Sequence, residues 1–249
     1  MIADHKLDCM LLHGWGVTNT IWEDFAEDLN LFVDIATPCL YSVASNTKDY
    51  SFESMSMQLN ETITHDCVVI AWSMGGLLAM RLAELTDSIK AIIFIASSPC
   101  FVNKEGWKDT IDSKSIIDLQ RKLLSNPVAA LEYFAALIAH GEVSAKKTIR
   151  TIRKHIANEK NSAILSCWLM ELLNRDQRNK FAALNIPTQV ILGEHDALVR
   201  LQIQKQIEQL KPGTQCVVMK NCGHAPFINQ SEEIVKLINE FISVRFKHK

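Results

Sequence analysis

The residues that could do chemistry begin with a serine placed between an apolar run and two glycines. Residues 67–72 are apolar and rich in β-branched side chains, which predicts a strand buried on both faces. Ser73 follows this strand directly, and Gly75 and Gly76 open an apolar helical pattern. This small-x-Ser-x-Gly pattern is typical of a nucleophile elbow, with Ala71 where glycine is more usual. The alternative interpretation is a serine that simply caps a helix.

A strained strand-to-helix turn would serve acyl transfer in two ways. It lifts the Ser73 hydroxyl clear of the backbone, and it places the Met74 amide at a helix N-terminus, where it can stabilise an oxyanion. A second donor is expected from the loop after the first strand, and we assign it to the Trp15 N–H. In the same loop, His13 is interpreted as a buried structural histidine that holds the loop in place.

A serine nucleophile needs a base, and the base needs an acid to orient it. In folds that carry a nucleophile elbow, the catalytic residues follow the order serine, acid, histidine along the chain. Asp196 follows one predicted strand and His224 follows the last, so both are expected at the sheet edge that carries Ser73. Taken one at a time, each residue also has a non-catalytic interpretation: Asp196 could cap the next helix, and His224 could be an ordinary loop histidine. Glu194 is the reserve acid, whereas His195 is not expected to be the base, because neighbours in an extended loop tend to point apart.

The order of predicted elements indicates the fold class. Alternating strands and helices predict an α/β protein with a mostly parallel, doubly wound sheet. Residues 103–181 show only helical periodicity and are predicted to form a helical lid inserted at the carboxyl edge of the sheet. The core is then formed by residues 1–102 and 182–249. Within it we predict a helix over 19–29, a strand over 32–36 and a loop over 37–46.

Composition excludes several classes of function. The formal net charge of −2 argues against nucleic-acid binding. No apolar run approaches the roughly 18 residues of a membrane helix, and residues 1–6 show no signal-peptide pattern. Seven cysteines without a CxxC pair favour a reducing cytoplasm. No cysteine or histidine spacing suits zinc, so we expect neither a metal nor a cofactor, and we expect a monomer.

Four motifs together resemble those of the α/β-hydrolases. The resemblance is narrower to the esterases that cleave pimeloyl-acyl carrier protein methyl ester in biotin biosynthesis. It implies a serine carboxylesterase that releases methanol and pimeloyl-acyl carrier protein, with Ser73, Asp196 and His224 as the triad. The motifs are Leu11-Leu12-His13-Gly14-Trp15-Gly16, Trp72-Ser73-Met74-Gly75-Gly76-Leu77, Ala96-Ser97-Ser98-Pro99-Cys100-Phe101 and Ala225-Pro226-Phe227-Ile228.

The same resemblance implies how substrate and carrier would bind. The lid of such esterases presents basic residues to the acidic carrier protein. This chain has a run of basic residues in its predicted lid, and the alternative interpretation of that run is a solvated helix face. Trp72 is a further candidate for the pocket wall, with plain core as its alternative. The implied substrate-binding residues are Trp15, Ser73, Met74, Phe134, Ile138 and His224, and the implied docking residues are Lys146, Lys147, Arg150, Arg153 and Lys154.

The chain departs from this pattern at several positions. The glycine-rich loop after the second strand is replaced by residues 37–42, so the pocket wall there is expected to differ. Ala129 and Tyr133 stand where the lid would carry further basic residues, and Ile138 replaces a polar residue. Two other functions therefore stay open. One is a general short-chain carboxylesterase with an incidental basic lid. The other is a non-catalytic binding protein, against which the complete triad pattern argues.

Overall fold

Six parallel strands form one sheet in the computed structural model, which describes residues 7–246. The expectation drawn from residues 1–6 lies outside these described residues. β3 is buried along its whole length because helices cover both faces of the sheet, as its unbroken apolar sequence predicts. The strands are β1 (Asp8–Leu12), β2 (Ile35–Ala36), β3 (Cys67–Trp72), β4 (Ile89–Ile95), β5 (Thr188–Gly193) and β6 (Gln215–Met219).

The strand order creates a crevice at the carboxyl edge of the sheet. The order is β2-β1-β3-β4-β5-β6, so the chain first winds outward from β1 to β2 and then returns to β3. In open α/β sheets, ligands bind where the winding direction reverses, outside the carboxyl ends of the strands. Here that point lies between β1 and β3, which places the His13 loop beside Ser73. The predicted α/β class with a parallel, doubly wound sheet is confirmed.

The helices fall into two groups. The helices of one group cover the sheet, and those of the other group follow one another along the chain between strands β4 and β5. The first group comprises α1 (Glu23–Asp28), α2 (Leu40–Ser45), α3 (Phe52–Glu61), α4 (Gly75–Leu85), α10 (Ile203–Leu210) and α11 (Ser231–Phe246). The second comprises α5 (Ser113–Ser125), α6 (Pro127–Ile138), α7 (Ala145–Lys154), α8 (Ser162–Asn174) and α9 (Arg178–Ala183). Short 3-10 turns occupy Asn19–Trp22, Glu159–Asn161 and Pro226–Ile228.

The helical insertion, residues 103–181, contributes no strand to the sheet within the described chain. Its first two helices begin at capping residues that the sequence supplies. At the start of α5, the Asp112 side chain accepts a hydrogen bond from the Lys114 N–H. At the start of α6, the Asn126 side chain accepts one from the Ala129 N–H, and Pro127 occupies the first helical position. Helix α9 was not predicted. It crosses the expected boundary at residue 181, so the insertion and the core meet within a helix.

Three local predictions need correction. The loop predicted over 37–46 is wrong, because α2 occupies its centre. Its Leu40 N–H donates to His13 Nε2 at 3.1 Å, a tertiary cap that no local pattern reveals. Of the strand predicted over 32–36, only residues 35 and 36 form a strand, β2, which pairs with β1. The helix predicted over 19–29 is divided into a 3-10 turn and α1.

None of the helices in the part of the chain that the structure describes has the length and apolar character that a bilayer crossing requires.

Candidate active site

The nucleophile elbow is a strained turn between β3 and α4. Ser73 has φ of 54°, a left-handed conformation that is costly for a residue with a side chain. The turn is held from two sides: the Ser73 N–H donates to Ile95 O at 2.9 Å, and the Ser97 hydroxyl donates to Ser73 O at 2.7 Å. Gly75 must be glycine, because a Cβ there would lie 2.5 Å from Leu12 O. The alternative of an ordinary serine cap does not account for this geometry.

The structure brings Ser73, Asp196 and His224 into one hydrogen-bonded chain. His224 Nε2 lies 2.9 Å from Ser73 Oγ, and His224 Nδ1 lies 2.8 Å from Asp196 Oδ2. Because the ionised carboxylate only accepts, the Nδ1–H donates to it and Nε2 is left to accept the serine proton. The His224 and Asp196 side chains are almost fully buried, at 1% and 0% exposure, so water does not compete for this hydrogen bond.

Asp196 does not cap the next helix, because α10 begins at Ile203 after Gln202 and has no side-chain cap. Its carboxylate closes a turn instead. Its Oδ1 accepts the N–H groups of Leu198 and Val199 at 2.7 and 2.9 Å, which closes the turn after β5. Its other oxygen contacts the His224 ring. The turn therefore fixes the carboxylate in the orientation that the histidine needs.

The backbone of His224 is held as firmly as its ring. Its N–H donates to Ile138 O at 3.1 Å, and its carbonyl accepts the Trp72 indole N–H at 2.7 Å. The Trp72 ring packs edge-on against Phe227, with ring centroids 5.1 Å apart. Trp72 does not line the cavity described below, so its core interpretation holds. Its contact with the histidine loop is one that sequence reasoning missed.

Two backbone amides beside the serine are free to donate. Within residues 7–246, neither the backbone N–H of Trp15 nor that of Met74 has a hydrogen-bond acceptor, whereas the Trp15 indole N–H donates to Leu165 O at 2.9 Å. The loop that carries Trp15 passes close to the nucleophile, since a Cβ built on Gly14 would lie 3.3 Å from Ser73 Cβ. Unused N–H groups of this kind can stabilise charge that develops on a carbonyl oxygen.

His13 is a neutral structural residue, as its loop position suggested. Its ring is fully buried, and burial lowers its pKa from 6.5 to about 4. Since Nε2 accepts the Leu40 N–H, the proton lies on Nδ1, which donates to Gly14 O at 2.9 Å. The neutral ring thus joins the Trp15 loop to α2.

An apolar cavity of about 340 Å³ opens onto Ser73. Its volume falls within the range of small-molecule sites. Four lining residues come from the core: Trp15, Ser73, Phe101 and Leu198. The apolar and aromatic lining from the helical insertion consists of Ile111, Ile116, Leu119, Tyr133, Phe134, Leu137, Leu169 and Leu172, and the polar lining of Ser115, Asp118 and Lys122.

The two insertion residues predicted to contact an acyl chain differ in position. Phe134 lines the cavity and packs edge-on against Trp15, with ring centroids 4.7 Å apart. Ile138 is fully buried and does not line the cavity. The structure therefore corrects the expected role of Ile138: its carbonyl oxygen holds the His224 N–H, because the last turn of α6 lies behind the histidine loop.

Sequence comparison places this chain in a known family. A model of the alpha/beta hydrolase fold matches residues 10–231. The chain belongs to the α/β hydrolase family. A pimeloyl-[acyl-carrier protein] methyl ester esterase from Pseudoalteromonas atlantica is 30% identical over 234 residues, which cover 91% of this chain and 90% of that protein. An esterase of the same name from Aliivibrio fischeri is 27% identical and covers 95% of this chain and 93% of its own length.

Solved structures support the same fold for this α/β hydrolase. A hydrolase from Oleispira antarctica superposes with a TM-score of 0.81 at 18% identity and covers 95% of this chain and 91% of that one. An esterase from Exiguobacterium antarcticum gives a TM-score of 0.78 at 16% identity, with 95% and 91% covered. These likenesses concern the fold.

The basic run of this hydrolase lies on α7 and does not line the cavity. All five side chains are exposed. Arg153 forms an ion pair with Glu132 of α6 at 2.6 Å, whereas no acidic partner lies within 4.0 Å of the other four among the described residues. Ile156, which follows α7, bridges to Val17, and the Ala157 N–H donates to Gly16 O at 2.9 Å. The helix is therefore anchored to the Trp15 loop.

Residues close to the triad do not compete with it. Glu194 accepts the Asn221 N–H and pairs with Lys220 at 3.1 Å, and it makes no hydrogen bond to His224 in the described chain. His195 is 43% exposed and lies 3.8 Å from Glu194 rather than beside the serine. Burial raises the pKa of the Cys222 thiol to about 12, which leaves it protonated and weakly nucleophilic. Within residues 7–246, no group of three metal-ligating side chains is present.

Sequence reasoning missed most of the cavity wall. Helices α5 and α8 supply Ile116, Leu119, Leu169 and Leu172, all of which follow ordinary helical spacing. The same spacing marks a helix face packed in a core, so the pattern cannot distinguish a wall from an interior. Glu142 was missed too. A lone acidic residue between two predicted helices gives no signal that its carboxylate is buried.

Proposed function

We propose that this protein is a serine carboxylesterase that hydrolyses the methyl ester of pimeloyl-acyl carrier protein, giving pimeloyl-acyl carrier protein and methanol in biotin biosynthesis. The observation that carries the proposal is the hydrogen-bonded chain of Ser73, His224 and Asp196 opening onto an apolar cavity. It occurs in a chain that matches esterases of this name along nearly their whole length.

The first half of the reaction forms an acyl-enzyme. Ser73 Oγ attacks the carbonyl carbon of the methyl ester while its proton passes to His224 Nε2. Asp196 stabilises the resulting imidazolium, and the amides of Trp15 and Met74 stabilise the oxyanion. When the tetrahedral intermediate collapses, the bond to methoxide breaks and His224 returns the proton, so methanol leaves.

The second half frees the carboxylate. His224 takes a proton from water, and the hydroxide attacks the acyl carbon that is bonded to Ser73. Collapse of this intermediate returns the proton from His224 to Ser73 Oγ. The same imidazole therefore acts first as base and then as acid in each half of the reaction.

The cavity suits a chain of methylene groups that ends in an ester. Each methylene that leaves water contributes about 0.8 kcal/mol, and the wall from α5, α6 and α8 supplies the apolar surface. The polar residues of the lining, Ser115, Asp118 and Lys122, suit the more polar arm that would join the acyl chain to its carrier. The helical insertion would act as the lid over this site.

The activity is tested with the carrier-linked substrate itself. Purified protein should release methanol from pimeloyl-acyl carrier protein methyl ester, and its gene should restore growth of a biotin-requiring strain that lacks the esterase. Ser73→Ala should do neither. A wild-type protein that fails in both assays and cleaves unrelated short esters equally well would instead be a general carboxylesterase.

Docking of the acidic carrier on α7 is a separate part of the proposal. Four cations on this helix lack an acidic partner within 4.0 Å in the described chain, which favours attraction of an anionic surface. Reversing Lys146, Arg150 and Lys154 to glutamate should raise KM for the carrier-linked ester at least tenfold relative to a small chromogenic ester. The matched control reverses three exposed cations of the core, Arg200, Lys205 and Lys236. Equal effects of both triple variants would exclude a specific patch.

The remaining partner predictions stay predictions. A monomer is expected in sedimentation experiments, and the net charge of −2 leads us to expect no retention on nucleic acid.

A further inference from the structure

A buried carboxylate lies just outside the triad, at the corner between α6 and α7. Glu142 is only 9% exposed, and no lysine, arginine or histidine lies within 4.0 Å of its carboxylate in the described chain. Its Oε1 accepts the Gly223 N–H at 3.0 Å. Its Oε2 accepts the Thr148 hydroxyl and the Asn229 side-chain amide, the latter at 3.3 Å. Hydrogen bonds alone therefore compensate for removing this carboxylate from water.

The Gly223 contact connects Glu142 to the catalytic loop. Gly223 immediately precedes His224, whose own N–H donates to Ile138 O at 3.1 Å. A Cβ on Gly223 would lie 2.9 Å from both Glu142 Cγ and Ile138 O, so only glycine permits this approach. Two successive amides of the histidine loop are thus held by the same corner of the helical insertion.

We propose that Glu142 is a positioning residue that sets the placement of the His224 ring through the Gly223 amide. The ring must reach Ser73 at 2.9 Å and Asp196 at 2.8 Å at the same time. Displacement of a catalytic group by about 1 Å can reduce the rate about 100-fold. The inference rests on the proposed function only in taking His224 as the base.

A consequence concerns how the insertion can move. The corner between α6 and α7 is bonded to the histidine loop, so it cannot swing away without disturbing the base. Helices α5 and α8 also line the cavity and make no hydrogen bond to residues 221–225 in the described chain, so opening of the site there would leave the contacts of the histidine loop intact.

The experiment compares substitutions of Glu142 on a small chromogenic ester. Glu142→Leu removes the acceptor and should lower kcat 10- to 100-fold with KM within about twofold. The rate at which a fluorophosphonate labels Ser73 should fall in parallel. Glu142→Gln keeps an oxygen for the Gly223 N–H, and Asn229 can turn its buried, unpartnered Oδ1 toward the new amide. We therefore expect kcat within about threefold of wild type for this variant.

A matched control separates positioning from stability. Glu171 is another partly buried carboxylate of the insertion that accepts a core amide, the Phe52 N–H at 3.2 Å, but it lies apart from His224. Glu171→Leu should lower the melting temperature and leave kcat unchanged. If Glu142→Leu does not fold, Glu142→Asp serves in its place, because it keeps the charge but shortens the reach to Gly223. It should show the same loss of kcat.

Three outcomes overturn the inference. They are a wild-type kcat in the folded Glu142 variant, equal losses of kcat in the Glu142 and Glu171 variants, and a Gln variant as impaired as the Leu variant. The small ester keeps the test independent of the carrier-linked substrate. Activity retained by Ser73→Ala would instead refute the proposed function itself.

Discussion

At the scale of single residues, the site depends on side chains that make two structural contacts at the same time. Asp196 is the clearest example, since one oxygen closes a turn and the other orients the histidine. Sequence order predicted Ser73, Asp196 and His224 because each follows a strand, and parallel strands end at one edge. The Trp72 and Glu142 contacts were beyond reach, because they join positions 152 and 81 residues away along the chain.

The two functions of Asp196 can be separated by substitution. Asp196→Asn keeps an oxygen for the Leu198 and Val199 amides, so the melting temperature should change little. Its amide cannot accept the Nδ1–H, which favours the wrong imidazole tautomer and should lower kcat by roughly 10⁴-fold. Esterase kinetics and thermal denaturation measure the two effects.

Glu194→Gln is the control for this prediction, because Glu194 is a nearby carboxylate that pairs with Lys220. Its kcat should stay within about twofold of wild type. A comparable loss in both variants would mean that the charge near the loop, rather than its contact with His224, matters.

At the scale of elements, the insertion supplies most of the cavity wall, and the core supplies the hydrogen-bonded chain of Ser73, His224 and Asp196. The helical lid predicted over residues 103–181 contains α5–α8, because their apolar spacing and caps are local signals. Helix α2 was missed because its cap is the His13 ring, 27 positions away in sequence. Ile138 was misplaced for a different reason, because its role was taken from the family resemblance. Its spacing marks a buried face, but only packing shows that the face meets a loop and not the cavity.

The α6 wall should determine which acyl chains fit. Leu137 lines the cavity, and a larger side chain there would occupy space for about two methylenes, worth roughly 0.8 kcal/mol each. Leu137→Trp should therefore lower kcat/KM for a hexanoyl ester about tenfold relative to an acetyl ester. Chromogenic esters of increasing length provide the measurement.

The neighbouring Ala136 offers the control, because it is exposed on the same helix and does not line the cavity. Ala136→Trp should leave the preference for chain length as in wild type. An unchanged preference in the Leu137 variant would show that this part of the cavity is not used by the acyl chain.

At the scale of the whole molecule, stability should depend on pH through a residue that does no chemistry. The folded pKa of His13 is about 4, below its ordinary value of 6.5, because its ring is buried. The unfolded chain therefore binds the proton more tightly, and stability is lost as the pH falls from about 6.5 toward 4. Between pH 7.5 and 5 this loss amounts to about 2 kcal/mol in the free energy of unfolding.

Urea unfolding at the two pH values tests this coupling. His13→Gln removes the titrating ring, so its stability should fall by about 2 kcal/mol less than that of wild type over the same interval. His65→Gln is the matched control, since the His65 side chain is 75% exposed. If wild type and His13→Gln lose the same stability, His13 is not the source of the pH dependence.

The brevity of β2 has a consequence for assembly. A strand at the border of a sheet normally offers unpaired amides and carbonyls on which another chain can continue the ladder. Among the described residues this border is formed by Ile35–Ala36 alone, which offers few unpaired groups to a second molecule. The short β2 therefore disfavours growth into fibres or domain-swapped ribbons at this border. At the opposite border, formed by β6, such pairing has to be prevented in another way.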